Sequence, residues 1–238
     1  MEWQGEGLII GVRRHGESAV ILEAMVEGRG RHLGLVRGGR SHRMAPQLQP
    51  GNSALLVWRA RLEEHLGTFT LEVTDARASR LMGDKARLYL AQLLGDHLRL
   101  LPEREPNDRL LGQVIRLLDA PLDDLQLGAA LARFELALLD DLGFGLDLSV
   151  CALTGVSEGL SHVSPRTGRA VSPEAATPYL DRLLKLPGFL IGEGELTRDA
   201  LNDAFRLTAH FLELNVWMPR SLDPPAIRES LTELLSGR

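Results

Sequence analysis

The chain has 238 residues, of which 44% are hydrophobic and 25% are charged, and its formal net charge is −5. This composition is that of a globular protein and excludes a largely disordered chain. The single cysteine, Cys151, excludes an intramolecular disulfide and a zinc site made of thiolates alone. The first ten residues lack the pattern of a signal peptide, and no apolar run approaches ~20 residues. We therefore expect a cytoplasmic protein.

Five short segments before residue 80 have the composition of β-strands. The alternation is clearest in the last segment, where Phe69, Leu71 and Val73 point to one face and polar residues point to the other. Turn signals rich in glycine separate the segments. The predicted strands cover residues 8–12, 19–26, 33–37, 54–62 and 68–74. Five short strands predict a small closed barrel, for which an OB-fold is the natural candidate.

The hydrophobic period becomes helical after residue 80. It is clearest in the third helix, in which Leu127, Leu131, Phe134, Leu138 and Leu142 recur at spacings of three and four. The predicted helices cover residues 84–101, 108–118, 127–142, 173–186, 197–216 and 225–235, with Ser172 and Thr197 as N-caps. An irregular loop is expected at 146–171. The fold class is therefore α+β, with an OB-fold domain at 1–80 and an α-helical domain at 81–238.

A cationic stretch at residues 29–62 stands out in this acidic chain. It holds seven arginines and no acidic residue. The first interpretation is a polyanion laid across this face, because the planar guanidinium group bonds phosphate bidentately. The alternative is a solvated surface whose ion-pair partners lie elsewhere in the fold. The arginines of the stretch are Arg29, Arg31, Arg37, Arg40, Arg43, Arg59 and Arg61.

One sequence motif suggests catalysis. Residues 155–159 match the G-x-S-x-G nucleophile elbow around Ser157, and Asp181 or Asp199 followed by His210 would complete a hydrolase in the right chain order. The surrounding pattern lacks the strand before the serine and the helix after it, so a glycine-bounded loop is favoured. The chain has no P-loop motif and no H-E-x-x-H zinc motif.

Three further residues have two interpretations each. Trp58 on a barrel strand could stack a base, but a core role is favoured. His42 in the cationic stretch could touch phosphate, but a plain surface role is favoured. Cys151 is expected to be a small buried hydrophobe.

Several segments together resemble the bacterial recombination mediator family RecO. They occur in the order typical of that family and span nearly the whole chain. They are residues 35–41 (LVRGGRS), 48–50 (LQP), 151–155 (CALTG), 163–172 (VSPRTGRAVS) and 219–221 (PRS).

The resemblance implies an N-terminal OB-fold, a C-terminal helical domain and a non-enzymatic role in DNA repair and recombination after DNA damage. It implies binding of single- and double-stranded DNA and annealing of complementary strands. It also implies that, with the partner RecR, the protein helps to load RecA onto DNA covered by single-strand-binding protein, whose acidic C-terminal tail such proteins contact. A cytoplasmic, nucleoid-associated location follows from these partners, and no membrane partner is expected.

Many members of the family carry a four-cysteine zinc site in the loop after the third helix. Cys151 fits the first ligand position, but Thr154 stands where its C-x-x-C partner would be. Residues 166–175 contain no cysteine for the second pair. We therefore expect neither zinc nor another cofactor, and expect packing and hydrogen bonds to hold this loop.

The resulting hypothesis is that arginines of the barrel follow phosphates, while the acidic helical half recruits proteins. A rival from another class is a protein–protein adaptor whose barrel binds an acidic partner and no nucleic acid. No catalytic or metal-binding residue is predicted. The predicted DNA-binding residues are Arg13, Arg14, Arg29, Arg31, Arg37, Arg40, Arg43, Arg59 and Arg61.

Overall fold

The computed structural model describes residues 1–62 and 64–237. Its first five strands form a closed barrel in the order β1-β2-β3-β5-β4, and helices follow, which confirms the predicted α+β class and the OB-fold. The strands are β1 Glu2–His15, β2 Ala19–Val26, β3 Gly30–Val36, β4 Ser53–Arg59 and β5 Thr68–Asp75.

The barrel depends on a first strand much longer than predicted. Residues 2–8 of β1 pair with β4, and residues 7–15 pair with β2. A register shift between Ile9 and Gly11 marks a β-bulge, where the strand bends from one neighbour to the other. The predicted strand at 8–12 was too short because the residues on either side of it are mostly polar and do not show the alternation of apolar and polar side chains that marks a strand. The predicted strand at 54–62 was too long, because β4 ends at Arg59.

Apolar side chains fill the barrel interior. The inward residues alternate along β2 and β4, and Phe69 and Leu71 of β5 point to the core as the sequence predicted. Trp58 is the largest of them, and its exposed fraction is 1%. The core consists of Ile9, Val20, Leu22, Ala24, Val26, Val36, Leu48, Ala54, Leu56, Trp58 and Phe69.

The chain forms two compact units, Met1–Asp119 and Ala120–Arg238. The change from strands to helices falls near residue 80, as expected. A division of the chain into domains at residue 80 stays a prediction. The first unit contains α1 Arg77–Leu81, α2 Lys85–Leu98 and α3 Asp108–Asp119, and the second contains α4 Asp124–Asp141, α5 Pro173–Ala176, α6 Arg198–Leu212 and α7 Ala226–Ser236.

The predicted helix at 173–186 is wrong. Only α5 is α-helical, and it is followed by a 3-10 turn at Thr177–Arg182 and a short strand, β8, at Leu184–Lys185. Pro178 contributes to the difference, because proline lacks the N–H that would continue the hydrogen bonds of an α-helix. Ser172 precedes α5 without a side-chain capping bond, whereas the Thr197 hydroxyl caps α6 as predicted.

A buried ion pair joins three helices of the second unit. Glu135 on α4 is fully buried, and its carboxylate accepts two hydrogen bonds from the Arg228 guanidinium on α7, both at 2.8 Å. The Thr208 hydroxyl on α6 donates to the same carboxylate. Two buried charges are tolerated here because each satisfies the other through hydrogen bonds.

The loop that follows α4 is closed by hydrogen bonds around Cys151. The N–H of Cys151 donates to the Val156 carbonyl at 2.7 Å, and the N–H of Gly155 donates back to the Cys151 carbonyl at 2.9 Å. The N–H of Ala152 donates to Ala170 at 2.8 Å, in the short strand β7 at Ala170–Val171. β7, β8 and β6 at His162–Val163 form a small sheet. The expectation that hydrogen bonds hold this loop is confirmed.

The thiol of Cys151 is buried and lies within reach of several donors. The N–H of Ser172 contacts its sulfur at 3.3 Å. Burial raises the pKa of this thiol, but hydrogen bonds from Thr154, Ser172 and Leu153 favour the thiolate and together lower the pKa to about 6. The cysteine is thus a small buried group, as predicted, but a polar one.

We expect Glu135→Ala to lower the free energy of unfolding by about 3–5 kcal/mol, because it leaves the Arg228 charge buried and unpaired. Urea denaturation measures this loss. The double variant Glu135→Leu/Arg228→Met removes both charges and should lie much closer to the wild type. A double variant as unstable as Glu135→Ala would contradict the interpretation. Glu229→Ala, on the exposed face of α7, serves as a control that changes little.

We expect the only thiol of the chain to titrate near pH 6 in the folded protein. The folded pKa lies below the ordinary value of 9.0, so its contribution to stability is fully present above about pH 9 and is lost as the pH falls through 6. Ultraviolet absorbance of the thiolate measures the titration, and Cys151→Ala supplies the baseline. A thiolate step near pH 9 in the folded protein would refute this assignment.

Candidate nucleic-acid interface

The predicted DNA-binding arginines fall at two ends of the barrel. Arg29 precedes β3 and Arg37 follows it, and the eight steps between these residues span roughly 26 Å when the chain is extended. The cationic stretch at 29–62 therefore does not form one continuous face. We call the end that carries the β1–β2 turn the hairpin end, and the end at which β1 begins the opposite end.

Five of the nine arginines lie at the hairpin end. Arg14 pairs with Val20, which pairs with Val36, so the tip of β1 and the end of β3 lie side by side. The segment after β3 then crosses the β1–β2 turn, where the N–H of Arg40 donates to the Ser18 carbonyl at 3.1 Å. The arginines at this end are Arg13, Arg14, Arg37, Arg40 and Arg43, and all are exposed.

The hairpin end is strongly cationic. The segments 13–17 and 37–43 add His15 and His42 to the five arginines and contain a single carboxylate, Glu17. The Arg40 guanidinium donates to the backbone carbonyls of Gly16 and Glu17. Within residues 1–62 and 64–237, none of the five guanidinium groups forms an ion pair with a carboxylate. These charges are therefore available to an anion.

A cleft of about 460 Å³ opens at this end. Arg14 and Arg40 line it together with Gln49, and Val20 and Leu48 provide apolar surface. The backbone bonds of Arg40 fix one of the two cations, so less side-chain entropy is lost when a phosphate binds there. The cleft can accept one stretch of sugar-phosphate chain.

The opposite end carries Arg29, Arg59 and Arg61, and here the arginines lie beside aromatic rings and a carboxylate. The Arg29 guanidinium lies 4.8 Å from the ring centre of Trp3, which stacks on Trp58 at 5.7 Å. Arg59 forms an exposed ion pair with Glu2 at 2.8 Å, and the hydrogen bond from Arg59 lowers the pKa of Glu2. The ion pair with Glu2 makes Arg59 less available than the arginines of the hairpin end.

His32 is buried beside Trp3, with ring centres 4.9 Å apart. Burial lowers the pKa of His32, and the charges of Arg104 and Arg29 lower it further, against a backbone hydrogen bond that raises it. His32 therefore adds no positive charge to this end at neutral pH.

The Arg31 guanidinium is half-buried and held by an ion pair. Its guanidinium pairs with Glu23 at 2.6 Å, and the same carboxylate pairs with Arg99 of the segment after α2 at 2.8 Å. Its Nε donates to the Leu101 carbonyl at 3.1 Å. Arg31 was predicted to bind DNA, and the sequence analysis named no ion-pair partner for it. The β2–β3 register sets Arg31 against Met25, diagonal to Glu23, so the hairpin pattern carried that signal.

Trp58 lies in the core and His42 lies at the surface, as the favoured interpretations predicted. The indole N–H of Trp58 donates to the carbonyls of Leu33 at 3.2 Å and Leu66 at 3.1 Å, and the ring lies in the core. Base stacking on Trp58 is thus wrong. His42 is exposed on the segment after β3.

The nucleophile elbow finds no support in the geometry. Ser157 is exposed in a segment that is neither strand nor helix, between Gly155 and Gly159. The Nε2 atom of His210 lies 3.0 Å from the Pro165 carbonyl. Asp181 lies 3.9 Å from Arg182, and Asp199 lies in the first turn of α6.

The described residues also bear on metal sites and membrane spans. Over residues 1–62 and 64–237, no three His, Cys, Asp or Glu side chains come together as a metal site would require. No described helix combines the length and the apolar character needed to cross a bilayer.

The chain is similar to known proteins over almost its whole length. The family model described as "Recombination protein O N terminal" matches residues 1–77, and the model described as "Recombination protein O C terminal" matches residues 82–222. A protein named DNA repair protein RecO from Chelativorans sp. is 53% identical over 96% of this chain and 93% of its own. Proteins of the same name from Sinorhizobium medicae and Methylobacterium nodulans are 50% and 51% identical, over 96% and 98% of this chain and 92% and 98% of theirs. The chain therefore belongs to the RecO family of DNA repair proteins.

Proposed function

We propose that the protein is a recombination mediator that binds single- and double-stranded DNA through the hairpin end of its barrel and anneals complementary strands. In this proposal RecR and the acidic tail of single-strand-binding protein are its partners, and RecA is loaded as a consequence. Its place of action is the cytoplasm, at the nucleoid. The membership of the RecO family supports this role, as does the cationic hairpin end.

The observation that carries the proposal is the set of five exposed arginines at one end of an OB barrel, without carboxylate partners in the described chain. Phosphate contacts supply most of the non-specific affinity of proteins for DNA. Arginine suits such contacts because its donors form a rigid fork that matches phosphate oxygens. The same surface offers few groups that could distinguish bases, so binding should be nearly independent of sequence.

Annealing follows from charge neutralisation. Two DNA strands repel each other along their length, and a protein without an energy source can only reduce that repulsion while the bases pair. Arg13 and Arg14 lie on one strand tip and Arg37, Arg40 and Arg43 lie on the neighbouring segment, so one end of the barrel presents cations on two adjacent pieces of chain. Such an arrangement can hold two phosphate chains side by side.

The recruitment of proteins is assigned to the second unit. Residues 120–238 hold seventeen Asp and Glu against ten Lys and Arg. An acidic surface repels the DNA backbone, so this unit suits protein partners better.

We expect the triple variant Arg37→Ala/Arg40→Ala/Arg43→Ala to weaken single-strand binding and to reduce the slope of log affinity against log salt by about 2, since each lost phosphate contact lowers it by ~0.7. Fluorescence anisotropy with a labelled oligothymidylate at several salt concentrations measures the slope. A strand-annealing assay on the same variant should show a slower rate.

Two controls make this test specific. The triple variant Arg29→Ala/Arg59→Ala/Arg61→Ala removes the same charge from the opposite end and should change the slope less. Arg31→Met removes a cation that is held by Glu23, so it should lower stability and leave the slope unchanged. An unchanged slope in the hairpin-end variant would remove that end from the interface, and a wild type that binds no oligonucleotide in dilute buffer would favour the adaptor.

A further inference from the structure

The first unit contains a groove of about 200 Å³ that none of the functions above uses. It lies between α3 and the part of β1, Gly7 and Leu8, that pairs with both β2 and β4. Glu27, in the turn after β2, also lines it. A helix with its side chains is ~10 Å across, so a groove of this volume suits a single long side chain better.

Three carboxylates meet at one end of this groove. The Asp108 carboxylate accepts a hydrogen bond from the N–H of Gly28 at 2.7 Å, which places the start of α3 against the turn that carries Glu27. The N–H of Glu27 donates to the Glu6 carbonyl at 3.0 Å, so Glu6 lies beside the same turn. All three acidic residues are exposed, and none forms an ion pair within residues 1–62 and 64–237. No lysine, arginine or histidine of the described chain lines the groove.

The other end of the groove is apolar. Leu8 follows Glu6 by two residues and therefore lies on the same face of β1. On α3, Leu111 and Ile115 follow Asp108 by three and seven residues, which places them on one side of the helix and up to ~10 Å further along its axis. Both walls therefore change from a carboxylate beside the turn to aliphatic groups away from it.

A glycine in the interior of α3 forms part of the wall. Gly112 lines the groove, although glycine is less favourable than alanine inside a helix. Packing does not require glycine there, because a Cβ would meet only the guanidinium of Arg116, at 3.3 Å, which is the end of a flexible side chain. Residue 112 lies on the face of α3 that carries Asp108 and Ile115, so a large side chain at this position would narrow the groove.

These features define the chemistry of a ligand. Long cationic side chains lay their aliphatic stem along apolar surface and keep the charged head in a polar setting, which matches a groove that is apolar at one end and acidic at the other. The carboxylates would repel DNA. A free diamine would have to place its second ammonium group against Leu8 and Ile115, where an unpaired charge is unfavourable. Arginine fits better than lysine, because its guanidinium group is less strongly hydrated and can bond to two carboxylates at once.

We propose that this groove binds an arginine side chain of a partner protein. The guanidinium group meets Glu27 and Asp108, and the aliphatic stem lies along Leu111. The proposal does not depend on DNA binding by the hairpin end, whose arginines lie elsewhere on the barrel and do not line this groove.

The direct test titrates the isotope-labelled full chain with a blocked tripeptide, acetyl-Gly-Arg-Gly-amide, and follows the backbone amide shifts by NMR. Saturable shifts should appear at Gly28, Gly112 and Ile115, with a Kd in the millimolar range or tighter, because ion pairs at exposed carboxylates are weak. The same peptide with citrulline keeps the shape of arginine without its charge. It should bind about tenfold more weakly.

Two variants of the protein test the two features of the groove. Glu27→Gln/Asp108→Asn removes two charges with little change of shape and should weaken binding of the arginine peptide about tenfold. Gly112→Leu fills the groove and should abolish binding without lowering the melting temperature, since leucine is the better helix former. Glu105→Gln removes an exposed carboxylate that does not line the groove, and this matched control should change the Kd by less than about twofold.

Equal affinity for the arginine and citrulline peptides, or binding that is unchanged in both groove variants, would overturn the proposal. Putrescine that binds as tightly as the arginine peptide would assign the groove to free diamines instead. A dimer of the wild type that is lost in Gly112→Leu, measured by analytical ultracentrifugation, would assign it to an arginine of a second copy. The anisotropy of labelled oligothymidylate should be the same for Gly112→Leu and the wild type, so a failure of the groove and a failure of the barrel as a DNA-binding module give different results.

Discussion

The barrel depends on the bulge in β1, where one strand passes from β4 to β2. At that point the Ile10 carbonyl accepts a hydrogen bond from the Arg99 guanidinium at 2.7 Å. A Cβ on Gly11 would lie 1.9 Å from the same guanidinium, so a side chain at this position would displace the end of Arg99. Arg99 also binds Glu23, and Glu23 binds Arg31. A single backbone irregularity thus accounts for a glycine and a chain of three charged side chains.

This constraint decides which cations remain available. Glu23 neutralises Arg31 and part of Arg99, and Arg99 in turn donates to the Ile10 carbonyl at the bulge. The arginines beyond the bulge, at the tip of β1 and after β3, have no structural task of this kind apart from the backbone bonds of Arg40. Unpaired arginines therefore gather at the hairpin end because the carboxylates that form ion pairs lie elsewhere in the fold. The spacing of arginines along the sequence does not reveal this distribution.

Sequence reasoning succeeded where a pattern is local. Alternation in β5 and the helical stripe of α4 predicted the elements and the class of fold, and the burial of Trp58 followed from its neighbours. It failed where the deciding partner is distant, since Arg99 lies 76 residues from Glu23. The wrong helix at 173–186 has another origin, because Pro178 gave a local signal that the acidic first turn and Pro173 outweighed.

The loop after α4 is held by hydrogen bonds, and the described residues contain no cluster that could hold a metal ion. The Cys151 backbone closes the loop on itself, and Ala152 and Ser172 tie it to β7 and to the residue after it. A sulfur that accepts several N–H and O–H bonds is a good acceptor only as a thiolate, which is why its pKa falls in spite of burial. These donors stabilise the negative charge of the thiolate, and the side chain of Leu153 on the same turn lies at the surface while its backbone contributes one of the donors.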